Sequence, residues 1–364
     1  MTLSRRSLWF TGLTVVMAAV FLAGCSDDNG PTKPTKTTGT LEIEPVPHGI
    51  DAPWEISGPG GFSQTGRGDT IFTDMTAGDY ELIWGEVSDY WTCPDPETKT
   101  LVANATVTFK GSYVEADFVF IPAGIFTMGS PADEPGRFAD RETQHQVTLT
   151  RGFYISKYEV TDSLWYEVMG GTPTTSQLPK GYVCWDMAVA FCNSLSDKEG
   201  LTRAYTIHGP YGDVTWDQGA NGYRLPTEAE WEYTCRAGSE AAFANGPITN
   251  IYCDPLDPVL DQIGWYCGNS GDTRHEVGQK QPNVWGLYDM HGNVWEWVWD
   301  GYRDDYENLN QTDPVHDVAP GAYRVVRGGG GSHDAQSCRS AHRIYAFPDG
   351  TSDLLGLRPV RSAD

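Results

Sequence analysis

Residues 222–233 read GYRLPTEAEWEY, and residues 285–297 read WGLYDMHGNVWEW. In the first stretch Thr227 and Glu230, three positions apart, have the pattern of a capping box at the start of a helix. This pattern predicts a short helix over residues 228–236. The second stretch is rich in Trp, Tyr and Gly, as is the whole chain, and that composition indicates a loop-rich fold rather than a helical bundle.

Two further short helices are predicted earlier in the chain. Thr161 is placed to cap a helix that runs through Met169. Asp186 is placed to cap a second helix that ends at Gly200. Three short helices in about 245 residues leave long loops, and such loops need pinning by disulfides, metal ions or aromatic packing.

More motifs occur in order around these two stretches. They are IPAG at 121–124, MGS at 128–130, YEVT at 158–161, RGG at 327–329 and LGLRPVR at 355–361. Together with residues 222–233 and 285–297, these motifs closely resemble the formylglycine-generating enzyme family, the sulfatase-modifying factors. The resemblance covers residues 119–364. It implies an α+β fold related to C-type lectins, with little regular secondary structure.

The best-known activity of that family converts a cysteine of a sulfatase peptide to formylglycine, using O₂ and a copper ion held by two cysteines. Those cysteines follow an Arg-Gly-Gly-Ser motif. An ungapped comparison places His333 and Cys338 at the two copper positions and Gly330 at a functional serine. A gapped comparison matches neither cysteine, so the copper pair is incomplete either way. Trp295 falls at a position that lines the enzymes' active pocket, which makes Cys338, His333 and Trp295 the candidate catalytic residues.

The chain has eight cysteines, of which Cys25 is the first. If the chain is exported, the other seven are expected to pair where possible. Resemblance to a bacterial subgroup of the family implies a disulfide between Cys235 and Cys338, with a free catalytic thiol at Cys338 as the alternative. Cys253 and Cys267 flank one loop and are a second candidate pair. The sequence leaves the state of three others open: Cys93, Cys184 and Cys192.

The second stretch also resembles a calcium loop of the family. In that loop Asp289 and Glu296 supply carboxylates, and Gly292 and Val294 supply backbone carbonyl groups. Hard oxygen donors of this kind suit Ca²⁺. The resemblance therefore implies calcium as a cofactor, with copper as a second, and the alternative for the loop is a metal-free turn in which Glu296 is buried.

Residues 40–118 are typical of a small all-β domain. Apolar and polar residues alternate with period two at 40–46, 80–84 and 105–109, which predicts strands. Short strands at this spacing indicate a β-sandwich. Residues 76–82 resemble the turn of small PEGA-type surface domains. We expect a spacer between the second domain and a membrane, with a ligand site as the alternative.

Residues 1–24 are typical of an export signal. Arginines precede an apolar run that ends in LAGC at 22–25, the order expected of a secretory signal. The LAGC ending resembles the lipobox of bacterial lipoproteins, which implies cleavage before Cys25 and its lipidation; an ordinary signal peptide is the alternative. Residues 25–39 contain no large apolar side chain and are expected to form a flexible tether. We therefore expect a lipid-anchored envelope protein that faces the periplasm or the cell surface.

Asp and Glu outnumber Lys and Arg by 49 to 25, which gives a formal net charge of −24. Because phosphate binding needs clustered Lys and Arg, this balance argues against a nucleic-acid partner. Two functions follow from the sequence. In the first, which the incomplete copper pair favours, a non-enzymatic domain on a membrane anchor binds or assembles an exported protein partner. In the second, an oxidase acts on a cysteine of an exported sulfatase or other polypeptide through Cys338.

Overall fold

The computed structural model describes residues 38–46, 51–87, 91–115, 117–304 and 311–363. The predicted signal peptide and Cys25 lie outside the described residues, as does most of the predicted tether. The last two residues of that tether, Thr38 and Gly39, belong instead to the first strand, where they pair with a neighbouring strand. No helix in the described ranges is long and apolar enough to cross a membrane.

Before residue 117 the described chain is built from strands and one short 3-10 turn. The strands are β1 (Thr38–Val46), β2 (Pro53–Gly58), β3 (Phe62–Arg67), β4 (Thr70–Thr76), β5 (Gly78–Trp84), β6 (Trp91–Thr92), β7 (Glu97–Leu101), β8 (Thr106–Ser112) and β9 (Val114–Glu115). They form a three-stranded sheet in the order β4-β1-β8, a four-stranded sheet in the order β3-β2-β5-β7, and the pair β6-β9.

The two larger sheets share one buried core, because apolar side chains alternate along their strands. Leu41 and Ile43 of β1 are buried, and so are Leu82 and Trp84 of β5. All four belong to one apolar cluster that draws on both sheets. The small all-β part that the sequence predicted is therefore confirmed, while its boundary at residue 118 stays a prediction.

From residue 117 onward, short strands and helices are separated by long loops. The strands are β10 (Phe118–Ile121), β11 (Gly124–Met128), β12 (His145–Leu149), β13 (Phe153–Ser156), β14 (Tyr205–Ile207), β15 (Val214–Trp216), β16 (Tyr223–Arg224), β17 (Trp295–Gly301), β18 (Gln311–Thr312), β19 (Arg324–Arg327), β20 (Arg343–Ala346), β21 (Leu355–Leu357) and β22 (Val360–Ser362). The helices are α1 (Asp162–Met169), α2 (Trp185–Lys198), α3 (Glu228–Arg236) and α4 (Leu260–Ile263).

Two four-stranded sheets organise this part, with strand orders β10-β13-β22-β16 and β20-β19-β17-β21. β17 is buried along its whole length, because it has a neighbour on each edge and apolar clusters cover both faces. Its tryptophans 295, 297 and 299 join the cluster that α2 supplies. Val298, which points to the opposite face, joins a second cluster together with Trp231 of α3. The loop that precedes β17 is therefore fixed at the centre of the molecule.

Two of the three predicted helices begin at the predicted caps. The Thr161 hydroxyl accepts a hydrogen bond from the Leu164 N–H at the start of α1. Thr227 and Glu230 form the capping box that starts α3. These starts were predictable because each signal lies within four residues of the helix it begins.

The predicted start of α2 is wrong. Cys184, rather than Asp186, is the residue that precedes the helix. The Asp186 carboxylate instead accepts hydrogen bonds of 2.7 Å from the backbone N–H groups of Tyr211 and Gly212. Asp186 therefore lies inside the first turn of α2 and fastens a distant loop to it.

Candidate functional site

The loop before β17 carries the residues that the sequence predicted as calcium ligands. It turns sharply, with positive φ at Asp289, Gly292 and Asn293. A Cβ at Gly292 would lie 2.0 Å from the carbonyl oxygen of Trp265, so only glycine fits there. The turn buries the carboxylates of both Asp289 and Glu296.

The carboxylate of Glu296 is held by an ion pair. Its Oε1 lies 2.8 Å from Nη2 of Arg358, and its Oε2 accepts a hydrogen bond of 2.7 Å from the indole N–H of Trp231. All three side chains are buried. Glu296 therefore has a partner of opposite charge within the protein itself.

A third carboxylate, that of Glu159, lies in the same buried region. It accepts hydrogen bonds from the backbone N–H of Val294 at 3.0 Å and from the side-chain amide of Asn293 at 2.7 Å. Burial and the neighbouring charges of Asp289 and Glu296 raise its pKa well above the ordinary value. Glu159 belongs to the YEVT motif, but the sequence prediction gave it no role in the calcium loop.

Asp289 has one satisfied oxygen and one orphaned oxygen. Its Oδ2 accepts a hydrogen bond of 2.7 Å from the Gly278 N–H, whereas its Oδ1 is buried without a hydrogen-bond partner in the described chain. Burial raises the pKa of Asp289 to about 6. The carboxyl groups of Glu159, Asp289 and Glu296 also lie near a single guanidinium, that of Arg358, which pairs with Glu296 alone. Both features fit a bound divalent cation.

Among the described residues, no three or more His, Cys, Asp and Glu side chains are arranged to hold a metal ion. The predicted calcium set differs from such a group, because it consists of the carboxylates of Asp289 and Glu296 and the carbonyl groups of Gly292 and Val294. Bound calcium would supply charge neutralisation here. Calcium binding therefore stays a prediction that the orphaned oxygen supports.

The two residues that align with the copper cysteines lie in different surroundings. The imidazole of His333 packs against Trp295, whose Nε1 lies 3.3 Å from His333 Nδ1. Cys338 ends a 3-10 turn and is buried in an apolar cluster that includes Phe243. Burial raises the pKa of the Cys338 thiol, so the thiolate that Cu(I) binding requires is disfavoured. His333 is half-buried, and burial lowers its pKa.

The space in front of Trp295 is filled. A Cβ at Gly330 would lie 3.3 Å from both Nδ1 of His333 and Cδ1 of Trp295. A serine at this position, as in the enzymes, would force one of these rings to move. Trp295 itself is only 5% exposed, so His333 covers the tryptophan that the resemblance assigned to an active pocket.

The predicted disulfide between Cys235 and Cys338 is wrong, since the structure leaves both thiols free. His291 lies beside both segments. Its Nε2 is 3.6 Å from the Cys235 sulfur, and its Nδ1 donates to the carbonyl oxygen of Cys338 at 2.8 Å. The Cys235 sulfur also contacts the Ser340 hydroxyl, while the Cys338 sulfur lies 3.7 Å from the carbonyl oxygen of Asp334. Each sulfur thus has polar neighbours of its own.

The second candidate disulfide is present. Cys253 and Cys267 are bonded, with their Cα atoms 5.3 Å apart. This bond pins one of the long loops, as the low content of regular structure requires. The three cysteines left open by the sequence are free thiols: Cys93, Cys184 and Cys192.

A buried ion-pair network fastens the loop over residues 130–142 to the turn that carries Cys338. Nη1 of Arg339 lies 2.7 Å from Oε1 of Glu134 and 2.8 Å from Oε2 of Glu142. Arg339 is separated from Glu142 by 197 positions in the sequence. The sequence prediction did not include this network, because no local pattern links residues so far apart.

A polar cavity of about 560 Å³ lies beside the start of α3. On its wall, both oxygens of Asp300 accept backbone hydrogen bonds of 2.7 Å, from the N–H groups of Glu228 and His316. Burial and the charge of Glu228 raise the pKa of Asp300 to about 7. The sequence prediction did not include this site either. The available signal was Asp300, an acidic residue near the end of the fully buried strand β17.

Comparison with known proteins identifies the family of this chain. The family model described as a sulfatase-modifying factor enzyme 1-like domain matches residues 105–363. The chain belongs to this family. The resemblance predicted from the motifs is thereby confirmed, and the match begins before the predicted domain start at residue 119.

Curated relatives of the family carry different names. The chain is 31% identical over 293 residues to "Chaperone protein LppX" of Paenibacillus barcinonensis, covering 71% of this chain and 94% of the relative. It is 28% identical over 291 residues to the formylglycine-generating enzyme of Streptomyces coelicolor, covering 68% and 89%. The family therefore includes relatives that are named as chaperones and relatives that are named as enzymes.

Solved structures confirm the fold. Treponema denticola variable protein 1 matches with a TM-score of 0.59 and 30% identity, over 67% of this chain and 94% of that chain. PvdO from Pseudomonas aeruginosa matches with a TM-score of 0.56 and 29% identity over the same shares. The expected α+β fold, related to C-type lectins and sparse in regular structure, is thus the fold of this sulfatase-modifying factor domain.

Proposed function

We propose that the chain is a non-enzymatic member of the sulfatase-modifying factor family that binds exported polypeptides at the cell envelope. The observation that carries this proposal is the burial of Cys338 in the segment that aligns with the enzymes' copper cysteines, residues 328–338, which we call the copper loop. Cys338 is buried with a raised pKa, and His333 covers Trp295. A copper oxidase needs thiolates that reach both the metal ion and the substrate, and the described residues of this loop offer no such pair.

The relative named as a chaperone supports a binding role. The similarity extends over 94% of that relative, so both proteins share nearly the whole of its length. A chaperone holds a polypeptide without changing its covalent structure. Such a function needs an accessible surface rather than a reaction centre, which agrees with a closed copper loop.

The proposal includes a lipid anchor at Cys25, with the all-β part as a spacer between the anchor and the binding domain. The LAGC sequence supports the anchor. Changing Cys25→Ala is expected to move the protein from the membrane fraction to the soluble fraction. A processed Cys25→Ala protein that stays with the membrane would contradict lipid anchoring.

Polypeptide binding is tested with the purified full chain and a protein that aggregates when unfolded, reduced lysozyme. Light scattering follows the aggregation. We expect equimolar chain to suppress the scattering and to co-elute with the unfolded protein in gel filtration. Unchanged scattering without a complex would refute the proposal.

The same preparation tests the oxidase alternative. A cysteine-containing sulfatase-type peptide is incubated with the chain, Cu(I) and O₂, and its mass is measured. We expect no conversion of the cysteine. Conversion to formylglycine that is lost in Cys338→Ser would overturn the non-enzymatic proposal and assign the reaction to this thiol.

A further inference from the structure

Four aromatic rings form a continuous row at one end of the sheet β20-β19-β17-β21, where β17 and β20 end and β19 begins. The ring centroids of Tyr302 and Tyr345 lie 4.4 Å apart, those of Tyr345 and Tyr323 4.5 Å, and those of Tyr323 and Phe347 4.3 Å. Three of these side chains are exposed: Tyr323 at 39%, Tyr345 at 41% and Phe347 at 52%. We call these four residues the aromatic row. A contiguous exposed apolar patch marks an interaction surface more often than isolated exposed side chains do.

Two residues of the aromatic row belong to an edge strand or follow it directly, because Tyr345 lies in β20 and Phe347 is the first residue after it. β20 is the outermost strand of its sheet in the described chain, with β19 as its neighbour. In an antiparallel pair, every second residue directs its N–H and C=O groups away from the neighbour. For residues 344–346 no described backbone group pairs with these outward groups. Such an edge is a template for a further extended strand.

The two features together select the chemistry of the partner. Unpaired backbone groups require another polypeptide backbone in extended conformation, a requirement that glycans and lipids do not meet. The aromatic row requires large apolar side chains at every second position, because alternate residues of a strand share one face.

The acidic residues near the aromatic row indicate the charge of its partner. Asp304 and Asp349 are exposed near opposite ends of the aromatic row. The chain as a whole also has a formal net charge of −24. Complementary charge speeds association, and a partner with basic flanking residues fits this surface.

We propose that the β20 edge and the aromatic row bind an extended polypeptide segment, which adds to the sheet as a fifth strand. The segment has apolar or aromatic residues at alternate positions and basic residues beside them. This inference rests on the proposed polypeptide-binding function and names the surface that performs it. An unfolded exported protein exposes such segments before its own strands have paired.

The side-chain contribution is tested with the full chain and a fluorescent peptide that alternates valine or tyrosine with threonine and has lysines at both ends. Fluorescence anisotropy gives the affinity. The double change Tyr345→Ser and Phe347→Ser is expected to weaken binding about tenfold or more. Tyr252→Ser is the matched control, because Tyr252 is 61% exposed and lies outside the aromatic row, and it is expected to leave the affinity unchanged. Equal affinities of wild type and the double variant would overturn the proposal.

The backbone contribution is tested with two N-methylated peptides of the same sequence. In one peptide the backbone nitrogens of the odd-numbered residues are methylated, and in the other those of the even-numbered residues. An edge strand accepts hydrogen bonds from only every second N–H group of an added strand. We therefore expect one methylated peptide to bind about tenfold more weakly and the other to bind like the parent. Equal binding of all three peptides would refute strand addition.

Two further outcomes separate this surface from the proposed function. If wild type and the double variant suppress lysozyme aggregation equally, the surface assignment is wrong while polypeptide binding stands. If wild type does not suppress aggregation, polypeptide binding itself fails. Dimers of wild type that disappear in the double variant, seen by light scattering without peptide, would assign the edge to a second copy of the chain and overturn the proposal.

Discussion

Buried ion pairs join distant segments of the sulfatase-modifying factor domain. Three fully buried arginines each pair with a glutamate from a distant part of the chain, and the pairs are Arg327–Glu232, Arg339–Glu142 and Arg358–Glu296. Removal of one partner from such a pair costs about 3–5 kcal/mol, because a buried charge is left alone. We infer that these pairs fix how segments far apart in the sequence, both regular elements and loops, pack against one another.

His291 is expected to make stability depend on pH. Burial lowers its pKa to about 4, whereas the unfolded side chain titrates near 6.5. As pH falls below 6.5, the unfolded state binds a proton first, so stability present above pH 6.5 is lost between pH 6.5 and about 4. His291→Gln keeps a donor for the Cys338 carbonyl and an acceptor for the Ala244 N–H but does not titrate.

The measurement is the melting temperature Tm of wild type and His291→Gln between pH 7.5 and pH 4.5. Asp289 and Asp300, whose pKa values are raised, act in the opposite direction in both proteins and cancel in the difference. We expect Tm of the variant minus Tm of wild type to increase by several degrees as pH falls. A difference that does not change with pH would show that His291 is not a buried neutral residue.

The free thiols make a second prediction at this scale. Cys93 and Cys184 are half-buried, whereas Cys192, Cys235 and Cys338 are buried. With a maleimide reagent and no reductant, Cys93 and Cys184 are expected to label in the folded protein, and the buried three only after denaturant is added. Peptide mapping by mass spectrometry reads the result. A linked Cys235–Cys338 peptide would contradict the free thiols of this structure.

At the scale of elements, local signals were predictable and distant ones were not. The starts of α1 and α3 followed from caps within the helices' own first turns. The start of α2 was mispredicted because the partners of Asp186 lie 25 and 26 positions away. The Arg339–Glu142 pair and the aromatic row were missed for the same reason, since tertiary packing alone decides which side chains meet and which stay exposed.

The capping box of α3 gives the prediction at this scale. The Thr227 hydroxyl accepts a hydrogen bond of 3.1 Å from the Glu230 N–H. Thr227→Ala removes that acceptor and is expected to lower the free energy of unfolding by about 1 kcal/mol. Thr227→Ser keeps the hydroxyl and is the control. Urea denaturation measures both, and an alanine variant as stable as the serine variant would mean that the cap contributes nothing.

At the scale of the whole molecule, the carboxylates of Glu159, Asp289 and Glu296 bring together two segments far apart in sequence. A calcium ion among them would join the end of the YEVT motif to the loop before β17. Chelation of calcium is therefore expected to lower Tm of the full chain by several degrees. Differential scanning calorimetry with and without a chelator makes the comparison.

Two controls make the calcium prediction specific. Added Ca²⁺ is expected to restore the original Tm, whereas Mg²⁺, which requires a tighter octahedral shell, is not. Asp289→Asn should remove the response to chelation, because it removes the charge that attracts the ion. A melt that chelator leaves unchanged in wild type would show that the loop is a metal-free turn.

β22, at residues 360–362, lies inside its sheet, between β13 and β16. A ribosome delivers a polypeptide from its N-terminus. Until residue 362 has arrived, β13 and β16 lack the strand that joins them, and this half of the core stays open. The strands of the all-β part, β1–β9, have all been delivered by residue 115 and do not depend on a strand from the end of the described chain. The sulfatase-modifying factor domain is therefore expected to complete this sheet only after residues 360–362 have been delivered, about 200 residues later in the chain than β13.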